Sequence, residues 1–199
     1  MRSSEEVGNT MPEPVTGTVA PPLVDPAQFR SLMASHPAGV AIVTTTALNG
    51  VPWGMTCSSV CSVALKPPTL LVCLRAASPT LAALLAVSTF AVNLLRDQGE
   101  RAAQLFASGA PDRFEQIDWA PDPDSGMPHL IDDAHTAADC RVSNALPVGD
   151  HVVVFGTVLR VRTHAVAPVS PLLYGMRRYW SLAGTPAPEA AGSDPDGRR

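Results

Sequence analysis

The 199-residue chain is 46% hydrophobic and 16% charged, a size and balance suited to one folded domain with dispensable ends. Its net charge of −4 and pI near 5.7 exclude a broad basic surface for nucleic acid, and the largest basic cluster in the body is Arg177-Arg178. No run approaches about 18 uninterrupted apolar residues and the start lacks a basic stretch leading into an apolar one, so the chain reads as cytoplasmic.

Residues 1–24 and 183–199 are rich in Pro, Gly, Ser and Ala without apolar periodicity. They read as disordered tails around a domain at 25–182, long enough to bury a core of its own. Asp25-Pro26 predicts a helix start, with Phe29, Leu32 and Met33 on one face as far as about Ser35. Residues 39–46 alternate as a strand, and Asn49-Gly50 predicts a hairpin into a partner strand from Val51. Pro67-Pro68 interrupts pairing, and 69–75 forms another strand. Ser78-Pro79 repeats the cap-and-proline signature for a helix ending near Val87, followed by a strand over 89–95. Residues 98–108 predict a helix stopped by Gly109, and the Asp- and Pro-rich 110–128 a surface excursion. Two long strands follow, 134–142 and 151–162, turning around 147–150.

Five or six strands joined largely by hairpins favour a closed or nearly closed antiparallel barrel, mainly β with short helices. A doubly wound sheet needs strict alternation of strands and helices, and no Gly-x-Gly-x-x-Gly turn is present.

The most informative segment is 54–68, where Thr56, Ser58, Ser59 and Ser62 stand with Cys57 and Cys61 in an apolar run that ends at the double proline. Small and hydroxyl side chains let a flat, phosphate-bearing ligand approach the backbone, and a flavin nucleotide is such a ligand. On a strand, Thr56 and Ser58 point to one face and Cys57 and Ser59 to the other. Either pair, or backbone groups at a bulge, can meet a ligand's polar edge, whereas a purely solvated strand face is the plainer reading. Ser78-Pro79-Thr80 opens a helix, whose free N–H groups and dipole suit a phosphate as readily as they suit simple capping. Cys57 and Cys61 make no zinc pattern, and four residues of strand span about 13 Å, too far for a disulfide. Cys73 and Cys140 sit in apolar runs as small hydrophobes, so reduced thiols and no metal site are expected. His36, His129, His135 and His164 have no partners at recognisable spacing. Phe106 and Phe114 can pack near a cofactor, with core packing the plainer role for each.

Phe29-Arg30, Pro37-Ala38-Gly39-Val40, Asn49-Gly50, Gly54-Met55-Thr56 through Pro67-Pro68, Phe90-Ala91-Val92-Asn93-Leu94-Leu95, Gly149-Asp150-His151 and Pro171-Leu172-Leu173-Tyr174 occur in this order over about 26–182. Together they resemble the flavin reductase domain family, the small reductase partners of two-component flavin monooxygenases. The family commonly carries an aromatic where Val60 stands and a hydroxyl where Ala64 stands.

The resemblance implies a split β-barrel that binds FMN or FAD, usually as a homodimer, and takes a hydride from NADH or NADPH. It implies further that Thr56, Cys57, Ser58 and Ser59 line the ring and ribityl chain with Ser62 nearby, that Ser78 and Thr80 meet the phosphate, and that His151 lies by the nicotinamide. Asn93 either bonds a flavin oxygen or satisfies its strand neighbours. Tyr174, Arg177 and Tyr179 either reach a phosphate or nicotinamide or form a solvated end, with Arg178 beside them. The implied activity is an NAD(P)H:flavin oxidoreductase that passes reduced flavin to a separate oxygenase. The alternative is a non-catalytic flavin- or haem-binding carrier or sensor on the same barrel, or a flavin enzyme acting on another substrate.

Overall fold

The computed structural model describes residues 22–164 and 169–182. The tails expected at 1–24 and 183–199 lie outside these residues, except that 22–24 are described and carry no regular structure. No helix among the described residues is long and apolar enough to cross a membrane. Contacts divide the chain into two units, Met1–Met33 and Ala34–Arg199.

The first unit carries most of helix α1, Pro26–Ala34. Asp25 Oδ1 accepts the Ala27 N–H at 2.6 Å while the Asp25 N–H donates to Gln28 Oε1 at 3.3 Å. Two donors at the helix start are thus satisfied reciprocally, and Pro26 contributes no N–H that would need a partner.

The second unit is built from strands β1 (Ala38–Gly39), β2 (Ala41–Thr46), β3 (Pro52–Cys57), β4 (Val60–Leu65), β5 (Pro68–Arg75), β6 (Thr89–Leu95), β7 (Trp119–Pro121), β8 (Pro128–Leu130), β9 (Ala134–Val148), β10 (His151–Thr163), β11 (Leu172–Gly175) and β12 (Arg178–Ser181). Helix α2, Pro79–Val87, precedes β6, and a 3-10 turn at Asp97–Gly99 leads into α3, Glu100–Ser108. Seven strands form one antiparallel sheet in the order β3-β2-β6-β9-β10-β5-β4.

That order closes the sheet. Laid flat, its two outer strands would stand about 29 Å apart at the usual inter-strand spacing. Yet the outer strands are β3 and β4, joined only by Ser58 and Ser59, a link that reaches about 10 Å. The sheet must therefore curl until its edges meet, and the Cys57 thiol at the end of β3 reaches the Cys73 carbonyl of β5, the strand paired with β4, at 3.8 Å. β3 and β4 are not hydrogen-bonded neighbours, so the barrel is split along this seam.

Val43, Val72, Leu74, Leu84, Phe90, Val92 and Val154 fill the interior, capped by α2. A second cluster, Ile42, Leu95, Ala103, Phe106, Leu130 and Leu172, joins the outer side of β2 and β6 to α3, β8 and β11. At Gly156 an added Cβ would lie 2.5 Å from Phe90 Cζ, so the fully buried Phe90 ring of β6 needs glycine on β10, beyond the intervening β9.

The hairpin at Asn49-Gly50 is present, with Gly50 at φ +81° and the Val51 N–H bonded to Asn49 Oδ1. Pro67-Pro68 differs from expectation: Leu65 pairs with Pro68, so the prolines turn a hairpin instead of interrupting the ladder. The long strands extend to Val148 and resume at His151, which shortens the turn to Gly149-Asp150. The excursion at 110–128 is not wholly superficial, because Arg113, Asp122 and Met127 are buried. β11 and β12 had no forecast and pair with β1 as a separate three-stranded sheet.

Candidate functional site

Helix α2 begins without a side-chain cap: Ser78 is extended at the N-cap, makes no capping bond, and its Oγ turns to Met55 Sδ at 3.2 Å. Pro79 at the first position brings no N–H, so the uncapped first turn presents backbone donors and the positive end of the helix dipole. This end opens into a cleft of about 320 Å³. Trp53, Gly54 and Met55 of β3 form one wall, Phe106 of α3 another, and Arg75 and Arg113 bring two guanidinium groups. Gly54 is required there, since an added Cβ would come within 2.7 Å of the Phe106 ring.

Arg113 is the unusual member. It is 7% exposed, its guanidinium carbon lies 5.6 Å from the Trp53 ring centre and 5.8 Å from that of Phe106, and Nη1 donates to the Ala110 carbonyl at 2.7 Å. Its Nε is buried without a hydrogen-bond partner, and no carboxylate pairs with it among the described residues. Burial pulls its pKa down from the usual arginine value.

Arg75 carries the cleft toward the Gly149-Asp150 turn, because it stands opposite His151 in the β5–β10 ladder and the Ala76 N–H bonds the Asp150 carbonyl at 2.9 Å. His151 Nδ1 lies 2.8 Å from Asp150 Oδ1. The hydrogen bond from His151 holds the Asp150 carboxyl below its ordinary range. An ionised carboxylate only accepts, so Nδ1 carries the proton and Nε2 is the nitrogen left for another partner.

The other residues singled out from the sequence are dispersed. Thr56 Oγ1 donates to the Ala103 carbonyl at 2.6 Å, which ties β3 to α3. Cys57 is buried, its thiol raised by burial and directed at the Cys73 carbonyl at 3.8 Å. Ser58 and Ser59 are exposed at the seam and Ser62 is exposed on β4. Thr80 joins Ser78 at the cleft but is itself 2% exposed. Tyr174 and Tyr179 meet edge to face at 5.1 Å on the β11–β12 hairpin, whose tip holds Arg177 at φ +61°. Tyr179 lines a different hollow, with Asp97, Glu100 and Trp180.

Asn93 resolves toward the interior. It is fully buried; Nδ2 donates to the Ile42 carbonyl at 3.2 Å and Thr44 Oγ1 at 3.0 Å, and Oδ1 accepts the Leu130 N–H at 3.0 Å. No surface of it is open to a cofactor.

His129, which has no partner at recognisable spacing in the sequence, finds its partners across the fold. His129 is 2% exposed, with Nε2 2.7 Å from Asp139 Oδ1 and Nδ1 3.9 Å from Asp122 Oδ2, and its ring packs on His164. Arg162 hydrogen-bonds Asp122, and Arg160 approaches both Asp122 and Asp139. Asp122, His129 and Asp139 have metal-ligand composition and proximity. The two guanidinium groups already neutralise the carboxylates, so the cluster reads as an ion-pair clasp between the 110–130 region and the barrel.

Sequence reasoning missed Trp53, Arg75 and Arg113, which no motif marks. It also missed the clasp, for which Arg160 and Arg162, two apart on an otherwise apolar strand, are the available signal.

The fit to known proteins covers this same architecture. The flavin reductase like domain matches residues 33–183. A flavin reductase (NADH) of Kitasatospora aureofaciens is 42% identical over 179 residues, covering 88% of this chain and 93% of that one. A flavin reductase (NADPH) of Lentzea aerocolonigenes is 46% identical over 164 residues, covering 81% and 94%. Among solved structures, BorF, the flavin reductase component of a bacterial two-component tryptophan halogenase, superposes with a TM-score of 0.70 at 28% identity, over 79% of this chain and 98% of that one. A match across three quarters of the chain, on a split barrel whose edges meet beside an uncapped helix start, places this protein in the flavin reductase like domain family.

Proposed function

We propose that the protein is an NAD(P)H:flavin oxidoreductase that takes a hydride from reduced nicotinamide and supplies reduced FMN or FAD to a separate oxygenase. The observation that carries the reading is the cleft at the start of α2, where Ser78 and Thr80 stand with unpaired helix-end donors beside two guanidinium groups and two aromatic rings. That donor set suits a ligand with a flat ring and a phosphate.

Bound flavin supplies the hydride acceptor, and the protein supplies binding and orientation. The first-turn N–H groups of α2 and Arg75 hold phosphate. Backbone groups of Thr56 to Ser59 and Ser62, at the seam where β3 and β4 lack each other as ladder partners, line the ring and ribityl chain. Asp150 holds the tautomer of His151, whose Nε2 would then be free to bond the nicotinamide amide and orient the hydride donor. Tyr174, Arg177 and Tyr179 serve the outer part of the dinucleotide. Oxygenase partnership is supported by the two-component system to which the halogenase reductase belongs. We place the protein in the cytoplasm as a homodimer, which covers apolar side chains now exposed on β9 and β10, Leu146, Val148, Leu159 and Val161. Sedimentation measures that mass.

The test is anaerobic mixing with FMN or FAD and NADH or NADPH, following nicotinamide absorbance. Oxidation far above the protein-free rate is expected. If flavin binds and neither nucleotide is oxidised faster than without protein, the carrier or sensor reading replaces this one. His151→Leu should raise KM for the nucleotide on the order of tenfold, the worth of about one hydrogen bond, and leave flavin affinity unchanged. An unaltered KM removes His151 from the site.

A further inference from the structure

We infer that Arg113 is a cofactor-binding residue that takes a second phosphate, so that the cleft selects the pyrophosphate of FAD over the single phosphate of FMN. This rests on the oxidoreductase reading for the identity of the ligand, but its physical basis is separate. An arginine 7% exposed, with a buried unpaired Nε and no carboxylate paired with it among the described residues, is a buried cation without a counter-charge. Such a charge is costly unless an anion meets it. Its surroundings offer none: Trp53 and Phe106 flank it, and its one protein hydrogen bond goes to a neutral carbonyl, that of Ala110. The cleft it lines also holds the uncapped start of α2 and Arg75.

One phosphate at the helix start accounts for the unpaired N–H groups of α2. It leaves the Arg113 guanidinium, on the same cleft, without a counter-ion. A diphosphate supplies both, because its two linked anions can lie on the helix end and on Arg113 together, and guanidinium binds phosphate oxygens in pairs. The aromatic faces hold the guanidinium plane in place before the ligand arrives, which reduces the ordering required on binding.

Titration of flavin fluorescence with the full chain tests this, using riboflavin, FMN and FAD against wild type, Arg113→Gln and Arg113→Lys. Wild type should bind FAD at least about tenfold tighter than FMN, a difference of about 1.4 kcal/mol. Arg113→Gln should erase that difference and leave riboflavin affinity unchanged, with Arg113→Lys intermediate. Equal affinity of wild type for FAD and FMN overturns the inference. So does an equal loss for all three flavins in Arg113→Gln, which would make Arg113 a support for Trp53 and Phe106 only.

Inorganic pyrophosphate gives a flavin-independent arm. It should raise the wild-type thermal midpoint more than phosphate at the same concentration, an advantage that shrinks in Arg75→Gln and is lost in Arg113→Gln if that variant folds. No such advantage in wild type overturns the inference. Pyrophosphate stabilisation in a protein that binds no flavin upholds the two-cation site and defeats the oxidoreductase reading, so the two failures are distinct.

Discussion

Replacing His129 by leucine should lower the unfolding free energy by about 3–5 kcal/mol, measured by urea denaturation at neutral pH. His129 and Asp139 are 2% and 3% exposed and meet at 2.7 Å, so the variant strands a carboxylate in the interior with Arg160 only at 3.6 Å. Asp139→Leu in the same background should recover part of the loss, since removing both polar partners leaves no stranded charge. A single variant as stable as wild type would mean that the clasp contributes nothing to the fold.

The clasp also sets the acid response. Burial works to raise the Asp122 carboxyl, but hydrogen bonds from Arg162, Ser125 and Asp124 outweigh it and hold the group well below the carboxylate range. A depressed folded pKa gives stability present above the ordinary value of about 4 and lost only as pH falls below it. His164 and His135 act earlier. Burial lowers both, with neighbouring positive charge adding to it, so each favours the folded state while neutral and costs stability as pH falls below about 6.5. Urea midpoints should therefore decline first as pH falls below about 6.5, and again in stronger acid.

Asn93→Leu should cost about 3 kcal/mol, since the Leu130 N–H is left buried without an acceptor and the bonds to the Ile42 carbonyl and Thr44 are lost together. Flavin affinity of the folded variant should stay at the wild-type value. A selective loss of flavin binding with unchanged stability would return Asn93 to the cofactor site. The side chain instead joins β2, β6 and β8, three elements far apart in sequence.

Local chemistry made much of the fold legible. Ser78-Pro79 marked the start of α2, and β-branched alternation marked β2, because caps and strand periodicity are set by near neighbours. The Asn93 partners, the Asp122–His129–Asp139 clasp and the burial of Arg113 arise from contacts across tens of residues, which periodicity does not record. Asp and Pro in 110–128 look solvated in isolation, and only Arg160 and Arg162 on β10 make Asp122 an interior residue. At the site, the helix start was legible as an anion position, whereas Trp53, Phe106 and the two arginines converge on it from four separate elements. Thr56 reads as a ligand hydroxyl in sequence, yet its oxygen already bonds α3.

Ser58 and Ser59 join the two outermost strands of the seven-stranded sheet, so a covalent link, not a ladder of hydrogen bonds, closes the seam. Strand edges that end in open solvent are templates for another chain to add to. Here each edge is kept facing the other by two residues of backbone. A chain cleaved at that point would turn a self-contained barrel into a sheet with two free margins, and its hazard would be aggregation before it was loss of catalysis.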